Sequence, residues 1–151
     1  VSAAALDHAW IAARIPHQGS MCLLDAVASW DAERIRCIAK SHRAADNPLR
    51  SGGRLGALTG IEYAAQAVAV HGALLADADS APAPGFLGSA RGVACQVGRL
   101  DDIAADLVVD AERLSGDDRT LLYAFTLSAG DCRLLSGRVS VVLGAAPTES
   151  P

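Results

Sequence analysis

The stretch Gly60-Ile61-Glu62-Tyr63-Ala64-Ala65-Gln66-Ala67-Val68-Ala69-Val70-His71-Gly72-Ala73-Leu74-Leu75 decides the fold. It is an Ala-rich helical run with one carboxylate inside it: from Ala57 to Ala76 the single formally charged side chain is Glu62. An ionised carboxylate taken out of water must be paired, hydrogen-bonded or protonated. Glu62 and Gln66 lie one helical turn apart and share a face, so the amide can orient the carboxylate. That arrangement marks a candidate site. A helix apolar on nearly all sides also has to be covered, and the simplest cover is a sheet curling round it.

Working outward, the chain before the helix opens with a short helical segment near Leu6–Arg14 and turns at Ile15-Pro16-His17-Gln18-Gly19. Two strands follow, about Cys22–Ser29 and Arg34–Lys40. In the second, Ile35, Cys37 and Ala39 alternate with Arg34, Arg36 and Lys40, the period of a half-buried strand. Ser41–Gly56 reads as a loop and Asp77–Gly85, with Pro82 and Pro84, as a crossover. Four strand-like runs complete the chain: Phe86–Val97, Ala105–Leu114, Thr120–Ala129 and Cys132–Leu143. Gly/Asp turns separate the last three. The plan is α+β, one domain over residues 1–144, with 145–151 a polar tail expected to be disordered.

Composition narrows the function classes. The chain has 151 residues, enough for one well-buried core. Half of the residues are hydrophobic but only six are aromatic, so the core is built from Ala, Leu, Val and Ile. The net charge is -4, Lys40 is the sole lysine and no basic cluster occurs, which argues against nucleic acid as a partner. Glu62, Gln66 and His71 interrupt the best candidate for a membrane span. With no signal-like start at Val1–Gly19, a cytoplasmic location is expected. Cys22, Cys37, Cys95 and Cys132 are widely spaced, without a C-x-x-C pair, and read as buried free thiols. The histidines and cysteines show no metal-ligand spacing, and no nucleotide-binding glycine motif occurs, so neither metal nor cofactor is called for.

Three segments carry a resemblance. Ile15-Pro16-His17-Gln18-Gly19-Ser20-Met21-Cys22-Leu23-Leu24-Asp25-Ala26-Val27 resembles the P-H-x-x-P-x-L-L-x-D-x-V opening of the hot-dog-fold 3-hydroxyacyl-ACP dehydratases. Ile61-Glu62-Tyr63-Ala64-Ala65-Gln66 resembles the E-A-M-A-Q element of their central helix, and Gly85–Arg91 falls where their third strand runs along the acyl tunnel. The likeness spans about Ile15 to Leu143 and is strongest to a divergent dehydratase-like branch associated with aryl polyene lipid synthesis. It implies a hot-dog fold, a six-stranded antiparallel sheet wrapped round one long helix. It further implies an acyl thioester substrate on ACP or CoA, and either a homodimer or a hetero-oligomer with another hot-dog protein. Among the surface arginines, Arg91 and Arg99 are the candidate ACP contacts.

The departure from that pattern matters as much. The family's catalytic histidine stands fourteen residues before the helix carboxylate, and counting back fourteen from Glu62 reaches Pro48. Three functions stay open. A dehydratase would use Glu62 as acid and another histidine, of this chain or of a partner subunit, as base. His17 is the internal candidate, although its family counterpart usually braces the first turn; His42 sits in a loop that can move toward the tunnel. His71, nine residues beyond Glu62, falls on the opposite side of the helix and reads as packed, and His8 has no assigned role. A thioesterase would need Glu62 alone, and a non-catalytic partner subunit would keep it as a relic, bonded to backbone or to Arg50, Arg54 or Arg91. The candidate catalytic residues are therefore Glu62 and His17. The substrate-binding candidates are Gly56, Ala57, Gln66, Phe86, Leu87 and Gly88, with helix N-terminal N–H groups near Gly56–Gly60 expected to polarise the thioester carbonyl.

Overall fold

The computed structural model describes residues 6–76 and 85–143; the expected tail, and all of the crossover but Gly85, lie outside them. The elements are helix α1 (His8–Ala12), strands β1 (Ala26–Trp30) and β2 (Arg34–Ala39), helix α2 (Gly60–Leu75), and strands β3 (Gly85–Cys95), β4 (Leu107–Gly116), β5 (Thr120–Ala129) and β6 (Cys132–Leu143). The strands form one antiparallel sheet in the order β1-β2-β4-β5-β6-β3. With one long helix packed on it, this is a hot-dog fold.

The alternation read from the sequence becomes the inner face of that sheet. Ile35, Cys37 and Ala39 on β2, Leu107, Val109 and Ala111 on β4, and Leu121, Tyr123, Phe125 and Leu127 on β5 are buried. They meet Tyr63, Ala64, Ala67, Val68 and Val70 of α2. At 1.5 Å per residue α2 is about 24 Å long, enough to cross the sheet. Its small side chains set the packing distance, and at Gly60 there is none: a Cβ placed there would lie 2.6 Å from Leu135 Cδ2 and 2.9 Å from Leu127 Cδ2. The opposite face of α2, through Ala65, Ala69, Gly72, Ala73 and Ala76, is not enclosed.

Several boundaries differ from expectation for physical reasons. The first strand starts at Ala26 and not at Cys22, because Met21–Leu23 gives its backbone groups to side chains of other elements and not to a sheet neighbour. The long helix is preceded by a single 3-10 turn, Ala57–Thr59. β1 carries a bulge between Val27 and Ser29, and Asp7 bridges to Ala26 on its outer side. Cys22 and Cys37 are buried free thiols as expected, and burial pushes the Cys37 thiol up to about 12. Cys95 and Cys132 are exposed, because they sit at the ends of β3 and β6 beyond the reach of α2.

His71 is packed. Its Nε2–H donates to Asp31 O at 2.7 Å and its Nδ1 lies 2.5 Å from the Tyr123 hydroxyl; burial lowers its pKa and favours the neutral ring, whose Nδ1 accepts from that hydroxyl. His42, expected to be a mobile loop residue, is instead fully buried, with Nε2 bonded to the carbonyls of Ile103 and Ala105 at 3.0 Å each. It is a structural pin and cannot swing toward a substrate.

Gly60→Ala is expected to lose about 1–3 kcal/mol of stability, the usual cost of overpacking a filled core. Urea unfolding checks this. An unchanged midpoint would mean that the helix and the two leucines have room to part.

Candidate active site

The site is built where the first loop meets the first turns of α2. Gln66 is fully buried and makes the junction: its Oε1 accepts from the N–H of Leu23 at 2.9 Å, and its Nε2 donates to the carbonyl of Met21 at 2.7 Å. The same Nε2 lies 3.5 Å from Glu62 Oε1. The other side of the Leu23 peptide is held as well, since its carbonyl accepts from Ser41 Oγ at 2.7 Å. From there a chain of bonds runs inward: the buried Tyr63 hydroxyl donates to Ser41 Oγ at 2.8 Å and accepts from Asn47 Nδ2 at 3.1 Å. Burial raises the Tyr63 pKa, which keeps this phenol a donor.

Held in this way, the loop brings His17 to the helix. His17 Nε2 and Glu62 Oε1 are 3.1 Å apart. The two side chains keep 23% and 28% of their surface exposed, so the pair is open to a substrate while most of it is shielded from water. The hydrogen bond from His17 is the largest influence on Glu62 and lowers its pKa, outweighing the burial that pulls the other way. Glu62 is thus a carboxylate at neutral pH. His17 Nδ1 is buried without a hydrogen-bond partner among the described residues.

The expected partners of Glu62 are elsewhere. Arg50 bonds the carbonyls of His42, Ala44 and Gly53 and lies 3.9 Å from Asp101. Arg91 points outward from β3, and Arg99, expected only as a surface contact, is committed to Asp101 and also reaches Asp102. Arg54 lines a groove of about 600 Å³ with Leu49, Ser51, Gly56, Thr59 and Arg99, just ahead of the helix. The loop in which the resemblance placed a catalytic histidine is here a brace. Asn47 bonds Ser41 O, the Tyr63 hydroxyl and Leu49 N, while Pro48, at the expected histidine position, is exposed and chemically inert. Gly52 and Gly53, at φ +59° and +78°, close the tight turn between Ser51 and Arg54.

Of the substrate-binding candidates, Gln66 lies in the pair's own hydrogen-bond network and Gly56 and Ala57 one to two turns before Glu62. The expected free amides do not materialise at three positions: Ala57 N bonds Gly98 O, Thr59 N bonds Gly56 O, and Gly60 N bonds back to Ala57 O. A short β-bridge between Gly56 and Arg99, invisible in the local sequence, consumes the first of them. Phe86, Leu87 and Gly88 lie on the edge strand β3, where Phe86 and Leu87 are exposed. No hydrogen bond or ion pair among the described residues joins them to the pair. A feature not anticipated is an apolar groove of about 440 Å³ along α2, lined by Pro16, Val68, Ala69, Gly72, Ala73 and Leu75 among others. Glu62, Ala65, Ala69, Gly72, Ala73 and Ala76 recur at helical spacing, so carboxylate and groove share one side of α2.

The sequence profile described as ApeP dehydratase, of the ApeP-like family, matches residues 9–149. The chain belongs to the ApeP-like dehydratase family. A solved structure described as the dehydratase heterocomplex ApeI:P from Xenorhabdus doucetiae includes a chain 26% identical to this ApeP-like protein; the match covers 89% of this chain and 90% of that one, at a TM-score of 0.76. More distant structures share the hot-dog fold. A thioesterase from Pseudomonas aeruginosa is 12% identical over 79% of this chain and 80% of its own, with a TM-score of 0.58. One from Staphylococcus aureus is 11% identical over 80% and 93%, at 0.59. No curated protein sequence matches. Among the described residues of this ApeP-like chain no group of His, Cys, Asp and Glu could hold a metal ion, and no helix is long and apolar enough to cross a membrane.

Replacing His17 by Phe removes the main stabiliser of the Glu62 carboxylate and leaves the burial, so the Glu62 pKa is expected to rise. The folded value now lies below the unfolded one. The stabilisation is therefore complete above the ordinary Glu value of about 4.3 and is lost as pH falls through the folded value; in the variant burial outweighs the remaining Gln66 bond, so above that pH the Glu62 carboxylate costs stability and protonation relieves it. Carboxyl NMR titration of Glu62 reads the shift directly. An unmoved pKa would mean that His17 does not carry the interaction.

Proposed function

We propose that this protein takes part in the dehydration of a 3-hydroxyacyl thioester, carried on ACP or CoA, with His17 and Glu62 as its reacting pair. The observation that carries the reading is the 3.1 Å contact between them in a chain of a dehydratase family. When the pair holds two protons, one shift across that contact turns imidazolium and carboxylate into neutral imidazole and carboxylic acid. Nε2 then takes a proton from the carbon beside the thioester carbonyl. Glu62 gives its proton to the 3-hydroxyl as the C–O bond breaks, and water leaves. The imidazolium and carboxylate that remain are the starting pair, so the cycle closes. The apolar groove beside Ala69 and Gly72 offers the acyl chain a place on the same side of α2. Such thioesters are cytoplasmic, and there we place the reaction.

Assembly with a second hot-dog chain through β3 belongs to this proposal. β3 is an eleven-residue edge strand, nearly all of it exposed, with Phe86 and Leu87 on its surface. Unpaired edges of that length call for a neighbour. A second reading follows from Pro48: the partner supplies the histidine base, and this chain supplies Glu62 or only groove wall.

Mass spectrometry of the pure protein with a 3-hydroxyacyl phosphopantetheine thioester separates these readings. Water loss by the chain alone, abolished in Glu62→Gln and in His17→Phe, is expected from the pair. Full turnover in Glu62→Gln would remove Glu62 as the acid, and thiol release without water loss would indicate a thioesterase. If the chain alone is silent and turnover appears only with a histidine-bearing hot-dog protein, the base is the partner's.

A further inference from the structure

Among the arginines on the outer face of the sheet, Arg34, Arg36, Arg91 and Arg138 fall into two classes. On the β2/β4 side each has a cross-strand carboxylate: Arg34 Nε lies 2.6 Å from Glu112 Oε2 and Arg36 Nε 2.7 Å from Asp110 Oδ1. On the β6/β3 side Arg138 and Arg91 stand directly opposite one another, and no carboxylate among the described residues lies within ion-pair distance of either. The other cross-strand neighbour of Arg138 is Ala124 on β5. Beyond Ala124 stands Glu112, already paired with Arg34. Both guanidinium-bearing residues are exposed. With Ser89, Ser140 and Leu122 they line a recess of about 290 Å³, in which the two serine hydroxyls bond each other at 2.7 Å.

Like charges directly opposite on neighbouring strands are destabilising, and opposite charges stabilise. Here two positive charges face each other on the last strand pair before an open edge, in a chain whose net charge is -4. Self-pairing does not relieve them. Gly85–Cys95 contains no Asp or Glu, so a second copy of β3 brings another arginine to the junction and no carboxylate. An added strand with an acidic side chain on its outer face would complete the row that β2 and β4 already show.

We infer that Arg91 and Arg138 form a charge-selection element that favours a different chain, one with an acidic outer face on its own edge strand, over a second copy of this protein. The inference rests on the proposed pairing through β3 and adds which surface chemistry the partner must have.

The test needs no natural partner, because a charge-reversed copy serves as the probe. Wild type, Arg91→Glu/Arg138→Glu, and an equal mixture of the two are compared by analytical ultracentrifugation and native mass spectrometry. The mixed pair is expected to form about tenfold more tightly than either self-pair at low salt. The gap should close at about 1 M salt, where the Debye length is about 3 Å. Equal affinities in all three, or a wild-type self-pair indifferent to salt, would overturn the charge selection. So would failure of every combination to pair, since charge would then not be what keeps two copies apart. Amide hydrogen exchange of Phe86–Cys95 separates this from the underlying reading. Protection on mixing with equal affinities sinks the selection and leaves edge pairing standing, whereas association without protection sinks edge pairing itself.

Discussion

The Gln66 side chain is the joint on which the site depends. A carboxamide has one acceptor and two donor hydrogens, and here the oxygen goes to Leu23 N, one hydrogen to Met21 O, and the second faces Glu62. Buried as it is, each of these bonds would be costly to leave unmade. The consequence is geometric. A loop with little regular structure is fixed to the second turn of α2, and a histidine 45 residues away in sequence from Glu62 is held against it. Ser41, Tyr63 and Asn47 hold the same loop from the other side, so the contact is set from two directions.

The segment with Pro48 is part of the same construction. Its loop is a wall that carries Asn47 and Arg50, whose bonds tie residues 41–53 into one unit. A base at Pro48 would stand at the exposed outside of that unit. What that unit leaves beside the first turns of α2 is the hydrogen-bonded contact between His17 and Glu62.

Most of the fold was legible because it is written in local periodicity. Period two in β2 and an uninterrupted small-residue run in α2 identify themselves, and the resemblance supplied a single six-stranded antiparallel sheet, though not its strand order. The site was legible at Glu62, a charge where the pattern admits none, and at Gln66 by its spacing. His17 was less so: nothing near it distinguishes a brace of the first turn from a partner of Glu62, since the contact is made across 45 residues. His42 was misread for the related reason that its two acceptors, Ile103 and Ala105, are some sixty residues away. The amides before the helix were misread because a two-residue bridge to Gly98–Arg99 leaves no trace in composition.

The two ends of the sheet are unlike, and that difference bears on how large an assembly can grow. β1 is five residues long, broken by a bulge, and Leu6 and Asp7 already bond along it. β3 is more than twice as long, and no described strand pairs with its outer side. A sheet open at both ends can add neighbours without limit and becomes a fibre; one open at a single end accepts one neighbour and is finished. Whatever chain docks on β3, the geometry of β1 stops the sheet from growing at this protein's other end.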